Sequence, residues 1–208
     1  MDVDFKLYLI TDRKQTKMPL PDAVRLALKG GVRAIQLRER DLPIRELLAV
    51  ARELRKLTRE FNAKLFINDR VDVAVAVEAD GVHLGHGSMP PEAVRTIVGS
   101  RMLVGVSTHS LEEAKSAEAG GADFITFGPV FTTPSKTRFG APVGTDAVSD
   151  LKKHIRLPVF GLGGIKTETV REVLRAGADG IAMISAIFGA DDIRNAAEKI
   201  NRRIDASA

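Results

Sequence analysis

Two arginines stand two residues apart in Gln36-Leu37-Arg38-Glu39-Arg40, directly after a short apolar run. Guanidinium groups so placed suit a phosphate or carboxylate, and the alternative is a pair of ion pairs on a rim. Asn68-Asp69 ends another apolar run, where the carboxylate can hold magnesium or close a turn. Ser107-Thr108-His109 ends a third, and His86 follows a fourth. An imidazole at either place can exchange a proton near neutral pH. His109 has a structural alternative, because it precedes the capping-box pattern Ser110-Leu111-Glu112-Glu113. Gly161-Leu162-Gly163-Gly164 and Ile184-Ser185 offer bare backbone N–H groups to a phosphate. Thr132-Thr133-Pro134-Ser135-Lys136 is rich in hydroxyls and suits a loop that closes over an anion.

Of the four histidines, His83 lies within an apolar run and reads as a hydrogen-bonded core residue, and His154 as a solvated one. None are paired at metal-ligand spacing on one helix, which argues against a histidine zinc site. The chain has no cysteine, so disulfides, thiolate metal sites and a cysteine nucleophile are excluded, and a reducing compartment is expected.

The elements that must position these groups alternate. Apolar runs occur at 7–10, 34–37, 64–67, 81–84, 103–106, 124–127, 158–161 and 180–184. Their length and lack of strict alternation fit strands buried on both faces. Between them lie amphipathic stretches at 21–28, 44–61, 110–119, 167–176 and 191–204, several closed by glycine. Gly-Gly-Val-Arg-Ala, Glu-Ala-Asp-Gly-Val, Gly-Gly-Ala-Asp-Phe and Ala-Gly-Ala-Asp-Gly each end a helix and launch a strand. Eight similar units in 208 residues predict a single-domain (β/α)₈ TIM barrel over 1–208, with an open doubly wound sheet as the rival. Barrel chemistry belongs at the C-terminal strand ends, where the polar groups above are gathered.

Composition narrows the ligand. Lysine and arginine exceed aspartate and glutamate by 31 to 27, a net charge of +4 with the signs interspersed. With no tryptophan and 5% aromatics, stacking platforms for nucleic acid are poorly supplied, and an anionic small molecule fits better. No apolar run approaches the ~20 residues of a membrane span. The start, Met1-Asp2-Val3-Asp4-Phe5, lacks a signal-peptide layout, so a cytoplasmic location with no membrane or nucleic-acid partner is expected.

With these residues assembled, the sequence resembles the thiamine phosphate synthase/TenI family over nearly its full length. The resemblance is carried by Leu7-Tyr8-Leu9-Ile10-Thr11-Asp12, Gln36-Leu37-Arg38-Glu39-Arg40, Ile67-Asn68-Asp69-Arg70 and Ala79-Asp80-Gly81-Val82-His83-Leu84-Gly85. It continues through Gly105-Val106-Ser107-Thr108-His109-Ser110, Gly128-Pro129-Val130-Phe131, Gly163-Gly164-Ile165 and Ile184-Ser185-Ala186. It implies a barrel acting on a thiazole phosphate.

Two chemistries occur in that family. Synthases join hydroxymethylpyrimidine diphosphate to the thiazole phosphate with magnesium, whereas TenI-type members aromatise a thiazole carboxylate phosphate by proton transfer. Arg40 stands where synthases place lysine, and Ser88 where they place a second aspartate. Those departures favour the tautomerase, a metal-free isomerase. In that reading the resemblance implies His109 as acid/base and Gly164, Ile184 and Ser185 around the phosphate. Thr133, Ser135 and Lys136 close that end, Arg38 and Arg40 meet the carboxylate, and Gln36, Asn68 and Ser107 complete the substrate contacts. The alternative is a synthase with magnesium on Asp69, and a second is a non-catalytic binder of a thiamine intermediate. A homo-oligomer is compatible with either.

Overall fold

The computed structural model describes residues 2–133 and 141–207. Eight parallel strands close into a barrel in chain order, β1 through β8, with β1 also paired to β8. The strands are β1 (Leu7–Ile10), β2 (Ala34–Leu37), β3 (Lys64–Asn68), β4 (Gly81–Leu84), β5 (Leu103–Thr108), β6 (Phe124–Phe127), β7 (Val159–Leu162) and β8 (Gly180–Met183). The helices between them are α1 (Leu20–Lys29), α2 (Ile44–Glu60), α3 (Val71–Ala76), α4 (Pro91–Val98), α5 (Leu111–Ala119), α6 (Gly144–Lys152) and α7 (Val170–Arg175). A short α8 (Ser185–Phe188) and a final α9 (Ile193–Asp205) follow β8. The closed barrel is the architecture expected from the eight buried runs.

Among the boundaries that differ from expectation, two have clear local reasons. Strand β5 runs to Thr108 because Ser107 and Thr108 still pair with Thr126 and Phe127 of β6. Helix α7 starts at Val170, because Lys166 to Thr169 form a turn in which the Thr169 hydroxyl accepts from the Lys166 N–H at 3.0 Å.

The core has two layers. Leu9, Ile35, Leu65, Ile67, Val82, Val104, Ile125 and Ile181 point outward against the helices. Phe5, Tyr8, Phe66, Phe124 and Phe160 fill the barrel interior, with ring centroids 5.1–6.1 Å apart. Small residues on neighbouring strands make that filling possible. A Cβ at Gly81 would lie 2.5 Å from the Phe66 ring, and one at Gly180 would lie 2.4 Å from the Phe160 ring.

The recurring Ala-Asp signature is a clamp at the N-terminal end of the barrel. Asp80 accepts from the Leu65 N–H at 2.7 Å and from Arg55 of α2 at 2.6 Å. Asp123 accepts from the Val104 N–H at 2.7 Å and from Arg95 of α4 at 2.5 Å. Asp179 accepts from the Val159 N–H at 2.8 Å and from Lys152 of α6 at 2.7 Å. Each carboxylate ties the start of an odd strand to the even strand after it, and to the helix that precedes the odd strand. The first repeat carries Arg33 instead, which donates to the Leu28 and Val32 carbonyls.

Candidate active site

The C-terminal rim is built from strand ends that turn sharply once pairing stops. Strand β2 ends at Leu37, and the next residues alternate across the rim: Arg38 and Arg40 line a cavity of about 370 Å³, while Glu39 is buried against β1. Glu39 accepts from the Thr11 hydroxyl at 2.7 Å, the Arg13 N–H at 3.0 Å and the Arg13 guanidinium at 3.0 Å. That outward anchoring leaves the flanking arginines facing the cavity, and neither makes an ion pair among the described residues. Arg38 is half-buried; its own desolvation, and then the charge of Arg40, lower its pKa from the usual value. A partly desolvated guanidinium with a second one beside it is a standing demand for an anion.

Gln36, Asn68, Ser107, His109 and Ile184 line the same cavity, joined by Asp12, Gln15, His86 and Leu162. A neighbouring space of about 390 Å³ shares Arg40, Asn68, Gly85 and Gly87 with it and adds Asp69 and Ser88. Asp69 holds a left-handed backbone (φ 60°), which an aspartate tolerates better than most residues. Its carboxylate accepts from the Asn68 amide at 2.7 Å and from the Ser88 hydroxyl. The β3 and β4 ends are thereby joined through one carboxylate.

His109 is held through both its backbone and its ring. Its N–H donates to Glu113 at 2.7 Å, and its Nδ1 lies 2.5 Å from the Gly128 carbonyl, so Nδ1 carries the proton. Ser110, not His109, caps α5, accepting from the Glu113 N–H at 3.2 Å. Gly164 (φ 65°) packs on the segment after β6, where a Cβ would lie 2.7 Å from the Phe131 and Thr132 backbone. Gly164 and Ser185 do not line the 370 Å³ cavity, although Leu162 and Ile184 beside them do. Thr133 is half-buried, and Ser135 and Lys136 lie outside the described residues.

Gln15 and the Arg13–Glu39 pair were missed by sequence reasoning, which took the first strand end no further than Thr11-Asp12. The signal available was the acid between two arginines, which needs a partner outside its own strand. His83 is a hydrogen-bonded core residue as expected, contacting Tyr8 and Ser107. No helix among the described residues is long and apolar enough to cross a membrane.

Sequence comparison decides the relationship. Residues 7–187 match the family described as thiamine monophosphate synthase. This chain belongs to that family. A Geobacter sulfurreducens relative, provisionally named a thiamine-phosphate synthase, is 54% identical over 199 residues, covering 95% of this chain and 93% of its own. The thiamine-phosphate synthase of Pyrococcus furiosus is 45% identical over 201 residues, covering 96% and 95%. Among solved structures, a thiamine phosphate pyrophosphorylase from Pyrococcus furiosus superposes with a TM-score of 0.89 at 43% identity, covering 97% of this chain and 96% of that one.

These relatives overturn the tautomerase expectation, since they carry the synthase name. The error lay in taking Ser88 as a mark of the tautomerase. Its hydroxyl instead donates to Asp69, so the position still serves the carboxylate. Arg40, in place of lysine, keeps a positive charge on the cavity wall.

Proposed function

We propose that this protein is a thiamine-phosphate synthase, a transferase that joins a pyrimidylmethyl diphosphate to a thiazole phosphate. In the step, the bond from the methylene carbon to the diphosphate oxygen breaks, the thiazole nitrogen bonds to that carbon, and diphosphate leaves. The observation that carries the reading is the cavity walled by Arg38 and Arg40, which make no ion pair among the described residues, beside Asn68 and Asp69. The two guanidinium groups neutralise charge that develops on a leaving diphosphate, which is where preorganised cations lower a barrier.

Magnesium fits this site as a metal that comes with its substrate. The described residues hold no cluster of three acidic, histidine or cysteine side chains. Magnesium commonly takes one or two carboxylates plus substrate phosphates, and Asp69 supplies one carboxylate with Asn68 beside it. When bound there, the ion would add positive charge on the diphosphate. Gln36 and Ser107 face the organic part of the substrate from the cavity floor. Gly164, Ile184 and Ser185 offer backbone to the thiazole phosphate; of the further contacts expected there, Thr133, Ser135 and Lys136, the last two lie outside the described residues.

Incubation with both substrates, with and without magnesium, tests the reading. Thiamine phosphate and diphosphate in equal amounts, dependent on magnesium, are the expected products. Absence of both from a folded protein that holds magnesium and both substrates overturns it.

A further inference from the structure

A chain of hydrogen bonds crosses the barrel interior beneath the cavity. The Gln36 amide donates to the Tyr8 hydroxyl at 3.1 Å, Tyr8 meets His83 Nδ1 at 3.3 Å, and His83 Nε2 meets the Ser107 hydroxyl at 3.0 Å. Thr126 donates to the same Ser107 oxygen at 3.4 Å. The first and last groups, Gln36 and Ser107, line the cavity, while Tyr8 and His83 are almost wholly buried.

The direction of the chain follows from the donors. Tyr8 accepts from Gln36, so its single proton goes to His83 Nδ1. That nitrogen is then an acceptor, and the imidazole proton is on Nε2, donating to Ser107. With both lone pairs of Ser107 receiving hydrogen bonds, its own proton is left to the cavity. Gln36, having used an N–H on Tyr8, offers its carbonyl oxygen. Burial raises the Tyr8 pKa well above its ordinary value, which keeps the phenol protonated as the relay requires.

We infer that Tyr8 and His83 are positioning residues whose one-way relay fixes Ser107 as a donor and Gln36 as an acceptor toward the substrate. The cavity floor is thus complementary to a ligand edge that carries a ring-nitrogen acceptor beside an amino donor. A floor with rotating polarity would accept the reversed edge as well; a locked one leaves the wrong ligand with unpaired buried groups. The reading of the ligand rests on the synthase proposal, whereas the relay itself rests on the four contacts.

The test combines a spectroscopic and a kinetic measurement on the whole protein. Long-range ¹H–¹⁵N correlation of histidine-labelled protein, with His83 assigned by its loss in His83→Asn, reads the tautomer directly. The expected result is the Nε2–H form in the parent and a mixture in Tyr8→Phe, which keeps the aromatic packing around residue 8. In Tyr8→Phe, KM for the pyrimidine diphosphate should rise about three- to tenfold, with kcat changed less. An Nδ1–H tautomer in the parent overturns the relay, and so does a Tyr8→Phe protein with unchanged tautomer and KM. If the parent forms no thiamine phosphate, the synthase reading falls while the parent tautomer still decides the relay. If Tyr8→Phe does not fold, the parent spectrum alone decides it.

Discussion

The Ser88 hydroxyl donates to the Asp69 carboxylate, across the gap between the end of β3 and the loop after β4. Asn68 donates to the other carboxylate oxygen at 2.7 Å, so both oxygens of Asp69 are oriented before any ligand arrives. One charge, held by neutral donors from Asn68, Ser88 and the Gly85 N–H, sits beside the cationic side chain of Arg40. A site of this kind has modest affinity for a bare cation and gains it when a polyanion supplies the remaining oxygens.

Replacing Ser88 by aspartate therefore changes the order of binding. The Ser88→Asp variant should bind magnesium without diphosphate several-fold more tightly, by calorimetry, because a second anionic oxygen is present. The unliganded variant should melt lower than the parent, because two carboxylates repel each other once the hydroxyl bridge is lost. Unchanged magnesium affinity would place the metal away from Asp69.

Arg38 exchanges stability for affinity. Its half-buried guanidinium faces Arg40 with no ion-pair partner among the described residues. Arg38→Gln should raise the melting temperature while raising KM for the diphosphate substrate by about tenfold or more. The two changes must appear together. A melting temperature that falls would mean that Arg38 serves the fold and not the ligand.

Much of this was legible from residue order. The eight strands could be read because a parallel barrel buries both faces, leaving short apolar runs such as 81–84 and 124–127 without alternation. The rim residues Arg38, Arg40, Asn68, Ser107 and His109 could be read because strand ends determine which residues face the mouth. What could not be read were relationships set by closure. Tyr8 looked like one more apolar strand residue, and its link to His83 exists only because β1 and β4 face each other across the interior. Glu39 looked like a third rim charge, and only its partners on the β1 side show that it anchors its neighbours. Ser88 misled for the same reason, because its meaning depends on Asp69, 19 residues earlier in sequence and adjacent in space.

The rim anchor around Arg13 should respond to acid and salt in a defined direction. Asp41 takes hydrogen bonds from Arg13 at 2.6 Å and Lys14 at 2.7 Å, which hold its pKa well below the carboxylate range. A depressed folded-state pKa gives stabilisation that is complete above the unfolded value of about 3.9 and is lost as pH falls through the folded value. The 13–15 turn should thus stay docked at pH 5 and loosen only in stronger acid, as read by exchange of the Arg13 amide. Because the pair is exposed, high salt at neutral pH should weaken the docking as well. Loosening between about pH 7 and 5 would contradict it, since no carboxylate with a lowered pKa titrates there.

The clamps at the opposite end should carry stability without touching the chemistry. Asp123 satisfies the N–H of the buried Val104 and an Arg95 guanidinium that also binds the Gly121 carbonyl at 2.8 Å. Asp123→Ala removes the acceptor from both, leaving a strand N–H without its partner, which costs about 1–3 kcal/mol. For a chain of this size, each kcal/mol lowers the melting temperature by roughly 2–4 °C. Because Asp80 and Asp179 make the same contacts on β3 and β7, their alanine variants should fall in the same range. The three sites are separate, so losses in Asp80→Ala/Asp179→Ala should add to within about 0.5 kcal/mol. Parent kcat and KM are expected below the new melting point, since the rim cavity has none of these residues in its wall. An Asp123→Ala protein that melts like the parent, or loses turnover while fully folded, would show that the repeated aspartates are not the barrel's structural clamps.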